Sequence, residues 1–293
     1  MNFYGYQQAT RKRINIATFT RPHVFDDFTG PESLDQHWTR TSIGSASLTL
    51  EASTLRMMLG TTPQGTYADA QIDDYHNLAR SDFPWKPPLR MEVRARSSLP
   101  AATPASNSTS PDTLHGTAGF GFWNYPFSIQ GDILMLPEAI WFFYASPPSN
   151  MALVPGIPGW GWKAQVVHSM RLAALGAIAP TALATGWGLL TGNSRPAGRW
   201  LQRLSGANEA LLEADLYSWH TYVLEWRIAE ARFLVDNIQV LNVARPPTRP
   251  LGFVAWLDNQ YAVATPQGSL RFGTVSIEQE EWFALDSICI EPL

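Results

Sequence analysis

The chain has 293 residues, of which 45% are hydrophobic and only 16% charged, with a formal net charge of −4 and a single cysteine. That balance supplies a sizeable globular core and removes the basic surface that a general nucleic-acid binder needs. It also excludes an intramolecular disulfide, and twelve tryptophans offer either core filler or flat apolar platforms of the kind on which sugar rings stack.

Residues 1–20 read as an N-terminal tail and residues 21–293 as one β-sandwich domain. The opening Met1-Asn-Phe-Tyr-Gly-Tyr-Gln-Gln8 has no charged region leading into an apolar one, so no secretory signal is read. This gives a cytoplasmic protein, or an exported one if translation starts further upstream. Val24-Phe-Asp-Asp-Phe28 and Leu34-Asp-Gln-His-Trp38 open the domain, and Ala46–Leu50 and Thr54–Leu59 alternate as half-buried strands. In Tyr67-Ala-Asp-Ala-Gln-Ile-Asp73 the polar residues Tyr67, Asp69, Gln71 and Asp73 share one face, which either meets water or lines a polar cleft. Leu89–Arg96 places Arg90, Glu92, Arg94 and Arg96 in an outward charged row.

Gly119-Phe-Gly-Phe-Trp123 and Glu138-Ala-Ile-Trp-Phe-Phe-Tyr144 are too apolar for water-facing edges and read as central strands. Beyond the Pro155–Trp162 loop, Ala164–Leu175 reads as a helix burying Val166, Val167, Met170 and Leu175, and Pro196–Leu212 as a second helix. Leu172 to Ser194 carries no charge over 23 residues. Its prolines and glycines argue against a membrane span and for a packed insertion, with a membrane-surface or lipid-contacting segment as the other reading. Tyr217-Ser-Trp-His-Thr-Tyr-Val-Leu-Glu-Trp226 is an aromatic, β-branched strand. Asp236-Asn237, between Phe233-Leu-Val235 and Ile238-Gln-Val240, suits the positive φ of a two-residue hairpin turn. Pro250–Asn259 and Trp282–Ile290 supply the last strands.

The Trp219–Trp226 strand, the apolar strand ending in Val235-Asp-Asn237, the Val24–Trp38 opening and the closing strand together resemble the concanavalin A-like lectin/glucanase superfamily, especially glycoside hydrolase family sixteen. The resemblance implies an all-β jelly-roll sandwich of two antiparallel sheets, with a partly helical insertion around residues 155–215. In that family one cleft strand carries Glu-x-Asp-x-(x)-Glu. The matching Glu138–Tyr144 stretch keeps only Glu138, with Ile140 at the Asp position and Phe142, Phe143 or Tyr144 at the second Glu.

A retaining glycosidase needs two carboxyls about 5–5.5 Å apart, one to attack and one to protonate the leaving oxygen. Glu138 alone cannot serve both roles. A second acid would come from Asp69, Asp73, Glu225 or, by preference, Asp258, whose strand resembles a cleft strand; Asp258-Asn259 also reads simply as the start of a turn. Trp123, Trp141, Tyr144, Trp256, Asn259, Asp69 and Gln71 are the residues expected to bind ligand. The resemblance requires no cofactor but suggests a structural Ca²⁺ held by Asp286, whose plainer reading is an ordinary surface aspartate. Three functions follow: a module binding a saccharide or another partly apolar ligand without hydrolysis, a divergent hydrolase or lyase with a relocated acid pair, or a binder of a hydrophobic ligand under the insertion.

Overall fold

A computed structural model describes residues 23–30, 34, 37–103, 112–125, 137–168, 206–264 and 270–293. Alternating apolar residues give strands throughout, and these form two large antiparallel sheets. The first runs β14 (Ile238–Ala244), β13 (Glu230–Val235), β12 (His220–Trp226), β6 (Leu89–Ser97), β18 (Glu281–Pro292), β4 (Leu55–Leu59) and β3 (Ala46–Leu50), with β1 (Val24–Asp26) paired to β18. The second runs β11 (Asn208–Leu211), β10 (Gly161–His168), β8 (Glu138–Ala145), β7 (Thr117–Trp123), β15 (Gly252–Asp258), β5 (Asp69–Asp73) and β2 (Thr39–Ile43). A small sheet of β17 (Leu270–Thr274), β16 (Gln260–Ala264) and β9 (Asn150–Met151) completes the set. This is the two-sheet jelly-roll sandwich that the resemblance implies.

One core fills the space between the large sheets. Met91, Val93, Tyr222, Leu224, Phe283 and Ile288 from the first sheet meet Phe120, Phe122, Phe142, Trp162, Phe253 and Leu257 from the second. Aromatic edges interlock across the gap: Phe120 and Tyr222 at 5.4 Å, Phe122 and Trp226 at 5.4 Å, Phe142 and Phe233 at 5.3 Å. Each such pair adds about 0.5–1.5 kcal/mol beyond simple burial. The expected hairpin is present, with Asp236 and Asn237 at φ +49° and +68°. Asp236 also accepts hydrogen bonds from the Thr221 backbone N–H at 2.9 Å and pairs with His220 Nδ1 at 2.6 Å, tying the turn to the neighbouring strand.

Two expectations fail here. Gly161–His168 is a strand and not the start of a helix, because Trp162, Ala164 and Val166 alternate into the core while Lys163 and Gln165 face the other way. Its spacing satisfied the helical period only by ignoring the two polar residues. Asn208–Leu211, expected to end a second helix, is a strand that pairs with it, Gln165 opposite Glu209. The intervening residues 169–205, including the uncharged run and the supposed cover of a hydrophobic ligand, lie outside the described residues, as does the 1–20 tail.

Candidate functional site

The face of the seven-stranded sheet turned away from the core, the concave face of the jelly roll, is built in rungs fixed by strand register. The first sets Asp69 beside Asp258 and Thr117. The second sets Gln71, Trp256, Gly119, Phe143 and Lys163 in line. The third sets Asp73, Val254, Gly121, Trp141, Gln165 and Glu209 in line, and the fourth carries Gly252, Trp123, Ala139 and Val167. Polar groups thus lie at one end and one side of an aromatic middle.

That middle is a second hydrophobic cluster of Tyr75, Phe83, Val254 and Trp256, against which Trp123, Tyr125, Trp141 and Phe143 pack half-buried. Trp141 stacks on Phe143 at 5.4 Å with 21° between planes and lies 5.2 Å from Trp256. The glycines of the Gly-Phe-Gly-Phe run make the space: a Cβ on Gly119 would stand 2.9 Å from the Trp256 ring, and one on Gly121 2.6 Å from Trp141 Cβ. Trp256 Nε1 donates to Thr117 Oγ1 at 2.9 Å. Trp141 Nε1 donates to Gln165 Oε1 at 2.5 Å, Gln165 Nε2 to Glu209 Oε1 at 2.5 Å, and Lys163 Nζ to Glu209 Oε2 at 3.1 Å. All three members of this chain beyond Trp141 are buried, so the tryptophan ring is held by a network that has no water to compete with it.

Asp69 and Asp258 are directly opposed on antiparallel strands, which puts their Cβ atoms about 5 Å apart on the same face. Asp258 Oδ1 accepts from Thr117 Oγ1 at 2.8 Å and from the Gln260 N–H at 3.0 Å. Burial pushes the Asp258 carboxyl up to about 6, against those hydrogen bonds. Burial and then the Asp258 charge push Asp69 up to about 7, while a hydrogen bond from Tyr67 pulls the other way. Burial also raises the Tyr67 phenol far above its ordinary value, with the charges of both aspartates adding to it.

Of the residues expected at the site, Trp123, Trp141, Trp256, Asp69, Gln71 and Asp258 share the concave face. Glu138 does not. It has the parity of Ile140 and Phe142, which face the core, and it stands past the fourth rung, seven residues along β8 from the Ala145 that neighbours Thr117. At about 3.4 Å per residue that separates it from Asp258 by roughly 20 Å or more, so the two do not form an acid pair. Instead Glu138 is buried at the end of the sheet, with Oε1 3.4 Å from His168 Nε2 and Oε2 without a hydrogen-bond partner among the described residues. Burial raises it to about 7, with Arg249 opposing. The concave positions of β8 are Ala139, Trp141, Phe143 and Ala145, none of them a carboxylate.

Three other expectations are corrected. Tyr144 is a core residue whose hydroxyl donates to the Leu114 carbonyl and accepts from the Ala102 N–H. Asn259 is fully buried and spends its amide on the Ala68 N–H and the Thr66 and Val275 carbonyls, so it locks loops and offers nothing to a ligand. Asp286 faces outward and pairs with Arg94 Nη1 at 2.9 Å. A guanidinium in that position does not fit a Ca²⁺ site built on the Asp286 carboxylate. Phe143, Lys163, Gln165, Glu209 and Thr117 were missed. The period-two alternation of Trp162-Lys-Ala-Gln-Val166 would have revealed the first polar pair.

No protein-family model matches the chain, and no curated protein sequence does. Solved structures do resemble it. An endo-acting O-glycanase from prominent members of the human gut microbiota, described as initiating mucin breakdown, superposes with a TM-score of 0.51 at 10% identity over 92% of this chain and 98% of its own. A glycosyl hydrolase family 16 protein of Mycobacterium smegmatis scores 0.48 at 13% identity over 91% of this chain and 98% of its own. A GlcNAcα1-4Gal-releasing endo-β-galactosidase of Clostridium perfringens scores 0.47 at 14% identity over 91% of this chain, which spans only 61% of that enzyme. At these identities the likeness concerns the fold alone, a two-sheet jelly-roll sandwich.

Proposed function

We propose that the concave face binds a saccharide and that the chain lacks the double displacement normally run by the β8 position. The observation that carries this reading is the Trp141–Phe143 stack beside Trp256, standing where that chemistry would need carboxylates. Sugar rings present apolar C–H faces to such rings and hydroxyls to polar neighbours, and the half-buried Gln71 lies on the rung of Trp256. The gut-microbiota O-glycanase with the same fold acts in mucin breakdown, which points to the same ligand class.

A second reading rests on Asp69 and Asp258. Their opposed Cβ atoms match the spacing of a retaining pair, and with one carboxyl raised to about 7 and the other to about 6 one would hold a proton while the other attacks the anomeric carbon. Water would then release the glycosyl group. Only 6% and 8% of the two residues is exposed, so a sugar would have little access to either oxygen, and binding ranks ahead of hydrolysis.

Calorimetric titration with laminari-, cello- and galacto-oligosaccharides, paired with a reducing-sugar assay, tests both. The expected result is binding without release, weakened at least ~10-fold (about 1.4 kcal/mol) by Trp141→Ala and untouched by Glu138→Gln. Failure of the whole panel to bind, or binding indifferent to Trp141→Ala, overturns the proposal. Release of reducing ends that is abolished by Asp258→Asn establishes the second reading instead.

A further inference from the structure

On the opposite side of the sandwich, the first and last strands bring together three groups of a different chemistry. β1 pairs with β18 so that Val24 faces Ile290 and Phe25 faces Cys289. The residue before Val24, His23, therefore falls beside Glu291. Ile288 and Ile290 are core residues, and strand alternation turns Cys289 and Glu291 to the outer face. A ring nitrogen of His23, Sγ of Cys289 and a carboxylate oxygen of Glu291 all lie within 4.8 Å of one another.

From this juxtaposition we infer that His23, Cys289 and Glu291 form a Zn²⁺ site that fastens β1 to β18. Zinc takes imidazole nitrogen at about 2.0–2.1 Å, thiolate sulfur at about 2.3 Å and carboxylate oxygen at about 2.0–2.2 Å in a tetrahedral shell. Ligand atoms around one such ion stand about 3.5 Å apart, so rotamer changes suffice to close the present spacing. His23 is exposed and Glu291 half-buried, so neither needs the backbone to move. Cys289 loses its proton to solvent as the Sγ–Zn bond forms, and thiolate plus carboxylate then balance the dication.

The donor set selects the metal. A thiolate and an imidazole favour Zn²⁺ over Ca²⁺, which takes oxygen ligands. Arg90 is the resident cation: its Nη1 stands 3.8 Å from Glu291 Oε1, while Nη2 is committed to Glu92 Oε2 at 2.5 Å. The longer contact is the one a metal would displace, and the shorter one is left intact. The fourth position is open to water. Since β1 is only three residues long and, among the described residues, pairs with β18 alone, a metal bridging the two acts as a staple on the first strand, remote from the concave face.

Untagged full-length chain, stripped with a chelator and kept reduced, is titrated with Co²⁺ and then Zn²⁺. One equivalent of Co²⁺ should give a near-ultraviolet thiolate charge-transfer band with visible tetrahedral bands, all bleached by Zn²⁺ and unaffected by excess Ca²⁺. Zinc should raise the thermal midpoint by a few °C or more, as any ligand of the folded state does. Cys289→Ser should remove the charge-transfer band, and His23→Ala, at an exposed position that leaves folding intact, should weaken Zn²⁺ binding at least ~10-fold. Absence of the band, Co²⁺ affinity unchanged in His23→Ala, or displacement of Co²⁺ by Ca²⁺ overturns the site. None of these readouts depends on whether a saccharide binds.

Discussion

The two sheets each carry a row of charged residues facing away from the core, and the rows live in different dielectrics. On β6 the outward Arg90, Glu92, Arg94 and Arg96 are half-buried and find partners in the solvent layer: Arg90 with Glu92, Arg94 with Asp286, and Arg94 and Arg96 over the Trp219 ring at 5.0 and 4.9 Å. On the concave face Lys163, Gln165, Glu209, Asp69 and Asp258 are buried. An exposed ion pair contributes about 0–1 kcal/mol, whereas buried charges cost several kcal/mol each and survive only in closed networks. The outer row is an ordinary solvated surface. The inner one brings Lys163, Glu209, Asp69 and Asp258 together on the face that carries the aromatic cluster, which is why function is placed there.

The comparison is broken most sharply at Glu209. Glu209→Gln leaves Lys163 buried without a countercharge, and about 3–5 kcal/mol of stability should be lost in urea unfolding. Replacing Lys163 and Glu209 together by methionine should restore most of it, since the pair is worth little once neither charge remains. A single mutant within 1 kcal/mol of the parent chain would show that water reaches the pair and that the two rows do not differ as described.

A smaller effect sharpens the same contrast through pH. Asp258, raised to about 6, holds its proton in the folded state across a range where the unfolded chain, with an ordinary value near 3.8, has lost it. The folded state therefore binds more protons between about pH 4 and pH 6. Its contribution to stability is fully present below pH 4 and is lost as pH rises through 6. Asp258→Asn removes that loss while keeping an oxygen to accept from Thr117. The variant should match the parent at pH 4 and exceed it by on the order of 2–3 kcal/mol at pH 8, read from urea midpoints at the two pH values. Equal stability at both would mean that Asp258 is not desolvated.

How much of this was legible in the chain depended on whether a feature was local. Alternation along Leu89–Arg96 and the Asp236-Asn237 turn are written in neighbouring residues, and both expectations match the strands found. The face a strand presents is equally local, yet a family pattern laid over Glu138–Tyr144 misread it: sliding by one residue exchanges Glu138, Ile140, Phe142 and Tyr144 for Ala139, Trp141 and Phe143. Register across the sheet is not local at all. That Asp69 faces Asp258, or that Glu209 completes Lys163 and Gln165, follows from strand pairings between distant segments. Gly119 and Gly121 were an unread signal, since glycine alternating with phenylalanine in a central strand marks the place where large rings lie over the backbone.

The smallest expected effect belongs to the outer row. Asp286→Asn removes one half of an ion pair whose two side chains are both only half-buried. Arg94 keeps its place over Trp219, and its freed guanidinium edge turns to water at almost no cost. Stability should change by less than about 1 kcal/mol, and by less still at high salt, because screening already weakens such a pair. Measured beside Glu209→Gln in the same urea series, it gives the ratio that defines the difference between the faces. If Asp286→Asn cost as much as Glu209→Gln, charge placement in this sandwich would be structural on both sides, and the buried row would no longer single out the concave face.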